Sequence, residues 1–103
     1  PAPGDNGYTV GQIFAQAQQL DGKTVQVRGK VVKINLNIMG KNWIHIQDGT
    51  GDPMKNSHDL VVTSAVAPEL NKIVLVEGKV AADRDFGYGY SYDAIIEEAV
   101  FKE

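Results

Sequence analysis

Residues 22–36, GKTVQVRGKVVKINL, and residues 43–47, WIHIQ, decide how this chain folds. In the first stretch Val25, Val27 and Val31 share one period-two phase against Gln26, Arg28 and Lys30, and Val32, Ile34 and Leu36 then take the opposite phase. Alternation at a spacing of two is the geometry of a strand with one face buried. A change of parity near Gly29 predicts a β-bulge or sharp coil, which lets one long strand serve two sheets of a small barrel. In the second stretch Ile44 and Ile46 alternate with Trp43, His45 and Gln47, so the isoleucines are expected inside and the other three outside. The intervening Asn35–Lys41 reads as a hairpin loop with apolar Ile38 and Met39 at its tip.

Working outward, the segment before the first strand predicts a helix from Thr9. Thr9 followed by Gln12 fits a capping box, and Val10, Ile13, Phe14, Ala17 and Leu20 form one apolar stripe. Asp21-Gly22 ends it. Residues 1–8, beginning PAPGDNG, read as a flexible leader, and residues 9–103 as one domain. A start without methionine suggests a matured or trimmed product, with removal of an export signal and a shortened terminus equally open.

Downstream, Asp48-Gly49-Thr50-Gly51-Asp52-Pro53 reads as a turn, Leu60–Thr63 as a third strand, Ile73–Val80 as a fourth and Tyr90–Phe101 as a fifth. Ser64–Asn71 leaves room for a short helical turn. Asp83–Gly89 forms a glycine-rich aromatic loop. The pattern is all-β: a five-stranded Greek-key barrel with an N-terminal helix and a short helical turn between strands three and four. Thr24–Phe101 is expected to close as antiparallel strands, with Val10, Ile13, Phe14 and Ala17 packed on the barrel. An SH3-like barrel is the rival, but offers no natural place for the segment between strands three and four.

Composition narrows the function. The chain has 103 residues, 43% hydrophobic and 22% charged, which suits one soluble globular domain. No apolar run reaches the roughly 20 residues that span a bilayer. A net charge of −3 argues against a protein that holds duplex nucleic acid mainly through its phosphates. Cysteine is absent, which excludes disulfides, thiolate catalysis and cysteine-based zinc sites.

Residues 22–31, with 43–51, resemble the OB-fold anticodon-binding domains of class II aminoacyl-tRNA synthetases, and Gly78-Lys79-Val80 looks like the strand-four pattern common in OB domains. A looser likeness is to small periplasmic bacterial OB-fold proteins, which also place a helix before the barrel. The first resemblance implies that Trp43 stacks on a base and that Arg28 makes a polar contact to nucleic acid. The second implies an exported protein that binds a small ligand or cations.

In OB barrels the ligand face lies on strands two and three, bordered by the loops joining strands one to two and four to five. The expected site is therefore Trp43, His45 and Gln47 on that face, with Arg28, Lys30, Lys33, Lys41 and Arg84 meeting phosphates. Met39 joins from the hairpin tip, and Phe86, Tyr88 and Tyr90 from the aromatic loop. Each ring has an alternative structural reading: Trp43 as a barrel cap, and the loop rings as cover for their own strands. His45 and His58, with Asp48, Asp52 and Asp59 nearby, lack a recognisable ligand spacing, so no metal site is expected. No nucleophile triad, paired carboxylates or phosphate loop stands out, so neither catalysis nor a cofactor is expected. The expectation is a non-enzymatic module for single-stranded DNA or RNA. The alternative is an exported module for a small ligand or protein partner. The compartment is periplasmic or secreted after signal removal, otherwise cytoplasmic.

Overall fold

The computed structural model describes residues 7–87, 89 and 91–102. A short strand β1 (Gly7–Tyr8) leads into helices α1 (Val10–Ala15) and α2 (Ala17–Leu20), followed by β2 (Thr24–Ile38), β3 (Lys41–Gln47), β4 (Leu60–Ser64), β5 (Ile73–Asp85) and β6 (Ser91–Phe101). The five long strands form a ring: β2 pairs with β3, β3 with β4, β4 with β6, β6 with β5, and β5 again with β2. The all-β barrel read from the sequence is thus the fold observed.

One pairing differs from expectation. β4 and β6 run parallel, joined only at Val61 opposite Ile95 and Val62 opposite Ile96. The other four junctions of the ring are antiparallel. Directions cannot alternate all the way round a ring of five, so a closed barrel of five strands must contain a parallel junction. The short β4–β6 seam is that junction.

The parity change in β2 is a bulge, displaced from Gly29 to Val32. Val31 pairs with Ile46 and Lys33 with His45, leaving Val32 as the additional residue. Ile34 thereby returns to the inner side against Ile44, while Val32 and Leu36 are exposed. The β2–β3 connection is tighter than the predicted loop. Met39 (φ 54°) and Gly40 (φ 79°) form a two-residue turn with both centres left-handed, the signature of a type I′ hairpin.

The interior holds Val25, Val27, Val31, Ile44, Ile46, Leu60, Val62, Val76 and Ile96, with Val10, Ile13, Ala17 and Leu20 of the helices joining the same cluster. The Thr9 capping box is present, its hydroxyl accepting from the Gln12 N–H at 3.1 Å and Gln12 Oε1 accepting from the Thr9 N–H at 2.9 Å. The turn after β3 has a role its composition did not reveal. Asp48 Oδ2 accepts the Val10 N–H at 2.9 Å and Thr50 Oγ1 accepts the Gly11 N–H at 2.8 Å, tying the helix start to the barrel. Gly51, at φ 86°, allows the tightest approach, where a Cβ would lie 2.0 Å from the Ser57 carbonyl oxygen, and at Gly78 a Cβ would lie 2.5 Å from Ile96 Cγ2.

Two further expectations are corrected. Ala65–Asn71 contains no helix, only bends and a turn; the short helical turn is the 3-10 segment Pro53–Lys55, between β3 and β4, with Asp52 accepting the Met54 N–H at its start. Proline at a first helical position behind an aspartate cap is a helix-start signal. Gly7 and Tyr8, assigned to the leader by composition, pair in parallel with Gln26 and Val27.

Candidate functional site

The outward face of β3 meets a second apolar cluster, separate from the barrel interior. Trp43, Val61 and Ile95 form its buried centre, with Ile38, Ala81, Phe86 and Tyr92 packed around them. Cross-strand partners share a face, and the ladder places Trp43 beside Thr63, His45 beside Val61, Val61 beside Ile95, and Ile95 beside Ala81. An apolar strip therefore crosses β3, β4, β6 and β5 on the outside of the barrel.

Alternation along β3 puts Trp43 on the opposite side from Ile44 and Ile46, as read from the sequence. Its exposure is the correction: Trp43 is only 4% exposed, and the indole is packed rather than presented. Phe86 meets it edge-on at 5.1 Å between centroids and Tyr92 stacks at 5.9 Å, while its Nε1–H donates to the Ile38 carbonyl at 2.8 Å. That bond fixes the indole to the β2–β3 hairpin. Period two tells which side a residue takes but says nothing about what covers that side.

The outer layer is aromatic and cationic. Lys41 Nζ lies 5.2 Å and Arg84 Cζ 4.8 Å from the centroid of the half-buried Phe86 ring, within cation–π range. Arg84 also pairs with Glu97 at 3.2 Å. Further along β3, His45 Nδ1 lies 3.0 Å from Asp59 Oδ2, an arrangement in which the imidazole N–H donates. This pair borders a cavity of about 240 Å³ that Asp93 and Tyr92 also line.

The predicted site residues thus separate. Lys41, Trp43, Arg84 and Phe86 come together, with His45 beside them and Lys33 opposite His45 in the ladder. Met39 is exposed at the hairpin tip. Arg28, Lys30 and Gln47 line a different groove of about 710 Å³ with Thr9, Asp48 and Ile73. Tyr88 and Tyr90 lie outside the described residues. Tyr92 and Asp93 belong to the face and were not singled out from the sequence, and Asp59 was named there only as a neighbour of the histidines in a metal set that lacked ligand spacing. For Tyr92 a signal existed, since it continues the aromatic spacing of Tyr88 and Tyr90 into β6. Among the described residues, no group of three or more His, Asp or Glu is placed to hold a metal ion. No helix among them is long and apolar enough to cross a membrane.

These features define an all-β barrel with an aromatic, cation-flanked outer face. No protein-family model and no curated protein matches the chain. Among solved structures, a candidate nucleic acid-binding lipoprotein from Klebsiella pneumoniae is similar, with a TM-score of 0.57 and 18% identity over 99% of this chain and 100% of the other. At that identity the likeness is one of fold.

Proposed function

We propose that this chain is a non-enzymatic OB-type module that binds single-stranded nucleic acid on the outer face of β3, β4 and β6. OB barrels use the face of their second and third strands, bordered by the loops after strands one and four. Here those elements are β3 and β4, the Met39-Gly40 hairpin, and the turn after Asp85. The observation that carries the reading is Phe86: a half-exposed ring held over Trp43 with an ammonium and a guanidinium against it. A base stacked there gains aromatic contact while its phosphate reaches the cations. The Klebsiella protein, described as nucleic acid-binding and as a lipoprotein, supports both this ligand class and an exported location for the chain.

With Trp43 buried, Phe86 and Tyr92 take over the platform role that sequence reading gave to the indole. The test is titration of a short labelled oligothymidylate at low salt. Phe86→Ala should weaken binding by roughly 1–3 kcal/mol, the worth of one base–aromatic stack. If the wild-type chain shows no binding to single-stranded DNA or RNA, the reading falls.

A further inference from the structure

We infer that a bound single strand leaves the aromatic face over the β4–β6 seam, with Lys79 as an unrecognised phosphate contact, and not over the Arg28–Lys30 groove. The inference rests on the nucleic-acid reading above and adds the strand's path across the barrel.

A groove of about 690 Å³ opens where β4 and β6 part beyond their short junction. Its walls include Lys41, Thr63, Ser64, Lys79, Arg84 and Glu97. Lys41 and Arg84 are also the cations on Phe86, so groove and aromatic platform are continuous through shared side chains. Lys79 is exposed and sits opposite Glu97 in the ladder, extending the cationic edge beyond Arg84. Groove cations outnumber carboxylates three to two, with Lys41, Lys79 and Arg84 against Glu97 and Glu98.

The opposite exit is less favourable for a polyanion. Going from Trp43 toward Gln47, about 13 Å at strand rise, the path first passes the cavity lined by Asp59 and Asp93. His45 is already engaged with Asp59. Carboxylates lining this path repel phosphates that pass within the Debye length of about 8 Å on the way toward Lys30. Arg28 and Lys30 lie beyond this barrier, in a groove whose lining also contains Asp48.

The Arg84–Glu97 pair supplies a second prediction within the same groove. Glu97 competes with phosphate for the guanidinium, so Glu97→Gln should tighten binding about two- to fivefold, the range of an exposed ion pair.

The experiment measures anisotropy of a short labelled oligothymidylate between roughly 50 and 200 mM salt. Wild type, Lys79→Gln, Lys30→Gln and Glu97→Gln are compared, each first checked for wild-type thermal unfolding. Both lysines are exposed, so neither substitution removes core packing. The expected result is a salt slope smaller by about 0.7 for Lys79→Gln and unchanged for Lys30→Gln. If Lys30→Gln lowers the slope and Lys79→Gln does not, the path is wrong although the nucleic-acid reading stands. Lack of binding by the wild type overturns both.

Discussion

Replacing Trp43 separates a core indole from a surface platform. At 4% exposure the side chain removes most of an aromatic residue's roughly 150–250 Å² from water, worth about 4–6 kcal/mol at ~25 cal/mol per Å² as an upper bound. Trp43→Ala also deletes the donor to the Ile38 carbonyl, about 1 kcal/mol, and opens a cavity against Val61 and Ile95. Large aromatic truncations in cores cost about 3–5 kcal/mol, a sizeable share of the 5–15 kcal/mol that holds a domain together. Urea unfolding followed by circular dichroism should show the midpoint falling by roughly 2 M for a slope of about 1.5–2 kcal/mol per M. Trp43→Phe keeps a ring but not the donor, and should lose about 1–2 kcal/mol. A loss below about 1 kcal/mol for Trp43→Ala would refute the packing argument and return the indole to the surface.

Asp48→Ala should cost about 2–3 kcal/mol, because it leaves the buried start of α1 without its acceptor and releases Thr50, whose N–H donates to Asp48 Oδ1 at 3.0 Å. Thermal unfolding measures this, and a loss comparable to an exposed-aspartate substitution would show that the helix is docked without the bond. Acid stability should depend on Glu77, whose carboxyl is held below the usual glutamate range chiefly by its hydrogen bond to the Lys102 ammonium at 2.9 Å, then by Gln26. With the folded value below the unfolded one, the unfolded chain binds more protons between the two, so this contribution is present above the ordinary carboxylate value and is lost as pH falls through the folded one. Lys102→Ala should flatten the acid limb of a melting temperature against pH curve, and an unaltered limb would count against the pairing.

Much of the fold was legible because its information is local. The capping box at Thr9 and Gln12, the period-two runs in β2 and β3, and the bulge between Val31 and Lys33 are properties of neighbouring residues. Apart from the local Asp52-Pro53 start of the 3-10 turn, what was not legible depends on residues distant in sequence. The parallel β4–β6 junction follows from closing an odd ring, which no single strand encodes. The burial of Trp43 requires Phe86 and Tyr92 to arrive from beyond Asp85. The assignment of Asp48 and Thr50 to a loop was right in kind, yet their hydrogen bonds run to Val10 and Gly11, 38 and 39 residues earlier in the chain.

On the proposed nucleic-acid reading, the same long-range contacts explain how a chain of net charge −3 would offer a face for an anionic polymer. Charge is unevenly divided across the aromatic strip: Lys41, Lys79 and Arg84 outnumber Glu97 and Glu98 on the seam side, while Asp59 and Asp93 line the other side, where Lys33 is opposite His45. Net charge sums over these regions and hides the division. On that reading the apolar strip between them would supply stacking that does not depend on counterion release, so affinity would rest on few phosphates. Such binding should be short in footprint and modest in salt dependence, unlike that of a basic protein tracking a duplex. The rings that supply it also cover Trp43, so substitutions in this face act on stability as well as on binding. Affinity loss in a variant is evidence about the ligand only when its unfolding midpoint has been measured beside it.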